Sequence, residues 1–134
     1  MDRSEFLKHM GGTLLLCAGC NLISCSSKED PTPIIDFTLD LLLPVNSALL
    51  SIGGSLSKDG VIIAKISNTE FTALSQACTH AGTHVNYRSA QLDFLCPNHG
   101  SVFDKGGAVK KGPATSPLKK YNTELTGDNL RVYS

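Results

Sequence analysis

Two short segments of this 134-residue chain each bring a thiol close to an imidazole: Cys78-Thr79-His80 and, 15 residues later, Cys96-Pro97-Asn98-His99-Gly100-Ser101. Thiolate and imidazole are ligands for zinc and for iron–sulfur centres. With 5 Cys and 4 His in the chain, two of each at one fixed spacing would arise by chance with a probability of roughly 10⁻⁴. Four donors on two segments can surround one zinc ion, or serve a binuclear centre with two donors for each metal. His84 lies four residues after His80 and is a further donor by spacing, whereas His9 falls in an apolar N-terminal segment with no other chemistry. Nothing outside the Cys/His segments forms a nucleophile with a base, a paired acid and base, or a phosphate-cradling glycine loop.

Lys and Arg number 12 and Asp and Glu 12, so no net charge draws the chain to nucleic acid or to anionic lipid. With aromatic content at 6% and no Trp, Leu, Ile and Val must supply most of a modest core. A metal centre joining two loops would add stability to it.

The elements that must position the donors read as β-strands. Apolar or alternating runs occur at Ile34 to Leu43, Val61 to Ser67, Glu70 to Ser75, Leu92 to Leu95, Leu118 to Leu125 and Leu130 to Tyr133. Gly53-Gly54, Lys58-Asp59-Gly60, Asn68-Thr69, Gly106-Gly107 and Gly127-Asp128-Asn129 punctuate them at hairpin intervals, with no long 3.6-residue periodicity between. Residues 34–134 are expected to form one all-β domain of antiparallel sheets, with a Cys/His segment at the end of each of two strand-like runs.

The pattern Cys-x-His, 15 residues, Cys-x-x-His-Gly-Ser resembles the Rieske iron–sulfur family, from about Ile34 to the C-terminus. The resemblance implies stacked antiparallel sheets with two loops forming a cluster-binding tip. It also implies one [2Fe–2S] cluster, with Cys78 and Cys96 on one iron and His80 and His99 on the other. Ser101 would donate to a bridging sulfide, and Gly112-Pro113-Ala114 resembles the loop that closes over such clusters; neither has a role in a zinc site. Two ferric ions, two sulfides and two thiolates sum to zero charge, against minus two with four thiolates. Such a cluster is therefore easier to reduce, at about −150 to +300 mV against about −400 mV for plant-type ferredoxins. Thr83 and Asn98 stand where quinol-oxidising members carry a disulfide, and Phe103 where high-potential members carry a hydrogen-bonding tyrosine.

The expected function is electron transfer by a carrier or oxidoreductase subunit that does not turn over substrate alone. Its partner would be a redox protein or a quinol, as in a quinol-oxidising respiratory complex; a structural zinc domain is the other class.

Residues 1–25 read as a signal peptide: Arg3 and Lys8, a mostly apolar run from Met10 to Ile23, then Leu22-Ile23-Ser24-Cys25. The apolar run is too short for the roughly 20 residues of a membrane span. Leu-Ile-Ser-Cys resembles a bacterial lipobox, which implies a lipid on Cys25. Cys20 is a competing site, and an ordinary cleaved signal or a buried N-terminal helix are the plainer readings. Residues 2–8 resemble a twin-arginine export signal apart from Ser4. Residues 26–33, polar with two prolines, read as a tether, making the expected product an exported, membrane-anchored lipoprotein on the periplasmic or outer-surface face.

Overall fold

The structure, a computed structural model, describes residues 33–134. The expected signal peptide, Cys17, Cys20, Cys25 and all but the last residue of the expected tether lie outside the described residues. The described residues form β1 (Asp36–Asp40), β2 (Ser55–Lys58), β3 (Val61–Lys65), β4 (Phe71–Ser75), β5 (Asn86–Arg88), β6 (Asp93–Leu95), β7 (Val102–Asp104), β8 (Val109–Lys111), β9 (Lys120–Thr126) and β10 (Asn129–Tyr133). One short 3₁₀ helix spans Pro44–Leu50. The strands make a six-stranded sheet in the order β1-β10-β9-β4-β3-β2 and a four-stranded sheet in the order β5-β6-β7-β8, with antiparallel pairing throughout.

Local chemistry accounts for the hairpins. β2 and β3 pair from Lys58 and Val61 outward, which leaves Asp59-Gly60 as a two-residue loop with both φ angles positive, 50° and 78°. Asp-Gly suits that turn because aspartate tolerates the left-handed region and glycine meets no Cβ penalty there.

Two cores follow from the period-two alternation of strands. Val61, Ile63, Phe71 and Ala73 lie in one cluster with Leu39, Leu49, Leu130 and Val132. Their neighbours Ile62, Ala64 and Leu74 lie in a second, with Phe94, Phe103, Leu118, Cys78 and Cys96. β3 and β4 are therefore covered on both faces, which is why Val61 to Ala64 is an unbroken apolar run and not an alternating one. Fully buried Phe94 and Phe103 each contribute about 1.5–3 kcal/mol relative to exposure.

The four-stranded sheet is an insertion between β4 and β9, which are neighbours in the larger sheet. The chain leaves and re-enters at adjacent points: Leu74 registers with Lys120, and the Ser75 N–H donates to the Lys119 carbonyl at 2.8 Å. The segments flanking that insertion, 76–85 and 112–119, carry Cys78/His80 and the Gly112-Pro113 sequence respectively, and the β6–β7 loop carries Cys96/His99.

Candidate metal centre

Both donor loops are built on the same hydrogen-bonded frame. The Cys78 N–H donates to the Thr83 carbonyl at 2.9 Å and the Gly82 N–H to the Cys78 carbonyl at 2.7 Å. In the second loop the Cys96 N–H donates to Ser101 at 2.8 Å and the Gly100 N–H to Cys96 at 3.0 Å. The closing glycines have φ of +77° and +80°, a region costing other L-residues about 1–2 kcal/mol. Each cysteine is thus followed at the fourth position by a glycine that turns the chain back. Sequence reasoning noted Gly100 beside His99 but missed Gly82; the signal was the Cys-x₃-Gly spacing shared by both segments.

The frames sort the donors by burial. Cys78 and Cys96 are 3% and 1% exposed, within the second core, and both are free thiols. His80 and His99 are exposed, with ring centroids 4.8 Å apart and planes at 84°. His84 is exposed at the base of the first loop, where it bridges Ala77; the ring-to-ring contact is between His80 and His99. Among the described residues no three Cys, His, Asp or Glu side chains converge on a single point as a mononuclear site requires.

A third loop locks onto the other two. The Ala114 N–H donates to Ser101 Oγ at 3.0 Å in a fully buried contact, and Thr79 Oγ1 donates to the Ser116 carbonyl at 2.6 Å. Sequence reasoning did not single out Thr79. Ser101 Oγ therefore accepts, while its proton reaches no protein acceptor among the described residues. A buried hydroxyl proton without a protein acceptor costs free energy unless something else accepts it. With two buried thiols in the same core, these residues fit an inorganic sulfide cluster. Phe103, fully buried and in register with Phe94, offers no hydroxyl.

Beneath the loops, Asp93 holds three strands of the small sheet together. Arg88 Nε and Nη2 donate to its two carboxylate oxygens at 2.7 and 2.8 Å, and Lys110 Nζ lies 3.3 Å from Oδ2. The Asp93 side chain is 3% exposed, that of Arg88 35%. The Arg88 hydrogen bond holds the Asp93 carboxyl below the ordinary carboxylate range against the opposing effect of burial, with Lys110 adding to it. Tyr87 packs on Phe94 at 5.1 Å, its buried hydroxyl lacks a partner among the described residues, and burial followed by the Asp93 charge pushes its ionisation up from 10.0.

Comparison with known proteins agrees with this arrangement. The family description "Rieske [2Fe-2S] domain" matches residues 50–122. The chain is 35% identical over 76 residues to the cytochrome b6-f complex iron-sulfur subunit of Chlorobaculum thiosulfatiphilum, covering 57% of this chain and 41% of that one. It is 39% identical over 59 residues to the same subunit of Synechococcus sp. (strain CC9605), covering 44% and 33%. The aligned region thus spans less than half the length of these curated relatives. Among solved structures, the cyanobacterial plasma membrane Rieske protein PetC3 from Synechocystis PCC 6803 superposes with a TM-score of 0.57 at 33% identity, covering 66% of this chain and 93% of that one. The ferredoxin of carbazole 1,9a-dioxygenase from Nocardioides aromaticivorans IC177 shares the fold, with a TM-score of 0.53 at 24% identity. The family match covers more than half of the chain: this protein belongs to the Rieske [2Fe-2S] domain family, whose domain carries one [2Fe–2S] cluster.

Proposed function

We propose that the chain is a one-electron carrier held at a membrane surface by a lipid on Cys25, in which Cys78 and Cys96 ligate one iron and His80 and His99 the other. The observation that carries the ligand assignment is the pair of matching loop frames, which bury both thiols and leave both imidazoles in contact at the surface. This division of donors supports two irons with two ligands each over a single zinc ion. A [2Fe–2S] group held there supplies a one-electron couple.

The chain's own residues then do three things. Burial of Cys78 and Cys96 among Phe94, Phe103 and Leu118 keeps water from the sulfur ligands and lowers the local dielectric, which strengthens nearby hydrogen bonds. Ser101 directs its remaining proton toward the cluster. His80 and His99, exposed at the tip, provide the contact through which a partner exchanges the electron. In place of a disulfide between Thr83 and Asn98, the third loop joins the other two through Thr79–Ser116 and Ser101–Ala114.

The purified full chain should contain two irons and two acid-labile sulfides and, when reduced, show the paramagnetic resonance of a mixed-ligand cluster; His80→Cys and His99→Cys should change that spectrum while His84→Ala leaves it intact. Stoichiometric zinc without sulfide would refute the ligand assignment. Cells given a labelled fatty acid should label the protein through Cys25, and label kept in Cys25→Ser but lost in Cys20→Ser would move the anchor. The names of the curated relatives favour a second reading, a subunit of a quinol-oxidising complex; it predicts that quinol reduces the cluster in membranes but not in the isolated protein.

A further inference from the structure

The charges around the tip are distributed unevenly. Residues 76–84, 96–101 and 112–118, which make up its three loops, contain no Asp, Glu, Lys or Arg. Lysine pairs stand immediately on either side of the third loop, Lys110-Lys111 before it and Lys119-Lys120 after it, and residues 106–123 hold four lysines and no acid. The whole chain has 12 cationic and 12 acidic side chains, so this end is positive by arrangement and not by excess.

The fold ties those lysines to the strands that lead into the tip. Lys111 registers with Val102, the residue after Ser101. Lys120 registers with Leu74, and the Lys119 carbonyl accepts the Ser75 N–H three residues before Cys78. Lys110 is engaged by Asp93 and Lys119 lies 5.1 Å from the Tyr121 ring centre. Lys111 and Lys120 are exposed and have no ion-pair partner among the described residues. Asp59 stands by the base of the first loop, in the turn whose Gly60 carbonyl accepts the Gln76 N–H, and it is faced by its own neighbour Lys58 at 3.8 Å.

We infer that Lys111 and Lys120 form a docking collar for a redox protein that carries carboxylates around its own electron-exchange site. This rests on the reading that electrons pass at the His80/His99 tip. An uncharged centre within a charged rim lets long-range attraction orient the encounter while the final contact needs no buried ion pair. Because the lysines flank the third loop, which Thr79–Ser116 ties to the first, a lipid surface seated on them would lie against the exchange site; the arrangement therefore favours a protein.

The test uses the reduced full-length holoprotein in neutral detergent, oxidised in a stopped-flow instrument by small reagents of opposite charge. One electron passes from the reduced cluster to hexacyanoferrate(III), giving hexacyanoferrate(II), or to a tris(phenanthroline)cobalt(III) cation, giving the cobalt(II) complex. Lys111→Glu/Lys120→Glu should slow the anionic oxidant about tenfold at low salt and speed the cationic one. Salt near 1 M should erase both differences, because screening then acts within about 3 Å. Lys65→Glu/Lys105→Glu makes the same change in net charge at strand ends away from the tip and should leave both rates within about twofold of wild type. Equal effects of the two double variants, or no effect of the first, would overturn the collar. Protection of Lys111 and Lys120 from acetylation by phosphatidylglycerol vesicles, with oxidation rates unchanged by the reversal, would place lipid there and overturn it as well. A preparation lacking the cluster's resonance signal contradicts the ligand assignment instead, so the two failures are distinguishable.

Discussion

Replacing Ser101 by alanine separates two roles that its hydroxyl combines. As an acceptor, Oγ satisfies the buried Ala114 N–H at 3.0 Å; removing it orphans that donor at a cost of about 1–3 kcal/mol. For a domain of this size that lowers the melting temperature by roughly 4–8 °C per kcal/mol. As a donor, the same hydroxyl is completely buried and has one proton without a protein acceptor. A hydrogen bond to a charged acceptor contributes about 1 kcal/mol more than one to a neutral acceptor. Reduction adds one negative charge, so the proton should stabilise the reduced state by about that difference. At about 59 mV per factor of ten for one electron, Ser101→Ala should lower the midpoint potential by about 40 mV.

Voltammetry of the cluster-loaded variant checks the second figure and thermal bleaching of the visible spectrum the first. A lower melting temperature with an unchanged potential, at full iron and sulfide content, would show that Ser101 anchors the third loop and does nothing for the redox couple. A fallen potential with unchanged stability would refute the anchoring role.

Phe103→Tyr introduces a donor beside the cysteine loops in the second core, and should raise the potential by about 40 mV on the same reasoning; voltammetry showing no rise in a loaded variant would refute that placement. Asp93→Asn removes the charge that Arg88 and Lys110 share and should cost about 2 kcal/mol at neutral pH after allowing for the partly exposed Arg88 and the half-exposed Lys110. Because Asp93 is held below the ordinary carboxylate value, its contribution is full above about pH 4 and is lost as pH falls through the folded value, so urea midpoints of variant and wild type should converge in acid. Tyr87→Phe removes the unpartnered hydroxyl and should leave stability unchanged or raise it by up to about 1 kcal/mol. Tyr87 ionisation is raised by burial, so wild-type stability should fall relative to the variant only above about pH 10, as pH climbs through the folded value; the variant should lack a phenolate absorbance step above the ordinary range. Gly82→Ala and Gly100→Ala meet no heavy atom within 4 Å of the new Cβ, so each should cost about 1–2 kcal/mol by conformation alone, read as faster cluster loss.

How much of this could be read from the residues depended on how far each signal was local. The runs at Val61 to Ser67, Glu70 to Ser75 and Leu130 to Tyr133 correspond to β3, β4 and β10, because turn chemistry and apolar content agree there. The strands missed were β2, β5, β7 and β8, three or four residues each. Asn86-Tyr87-Arg88 and Val109-Lys110-Lys111 are too short to show a period and gain their pairing from neighbours. The run Ile34 to Leu43 was overlong: β1 stops at Asp40, whose carbonyl accepts from the Asn46 side chain at 2.7 Å as the chain turns into the 3₁₀ helix.

The four proposed donors stand out in the sequence because their chemistry is rare; what orients them does not, because it joins residues distant in sequence. Thr79 and Ser116 are 37 residues apart and Ser101 and Ala114 are 13 apart, and nothing local marks a threonine or an alanine amide as a cross-tie. The topology makes those ties possible. Since β4 and β9 are neighbours, the small sheet leaves and returns through one gap, and the first and third loops are brought together before any ligand is bound. The β6–β7 hairpin then has to supply the second pair of donors, and its Phe94–Phe103 register fixes the distance from the core at which Cys96 turns. The donor loops are thus positioned by two buried aromatic rings and two side-chain cross-ties, so variants of Thr79 should loosen the first loop while leaving every ligand in place.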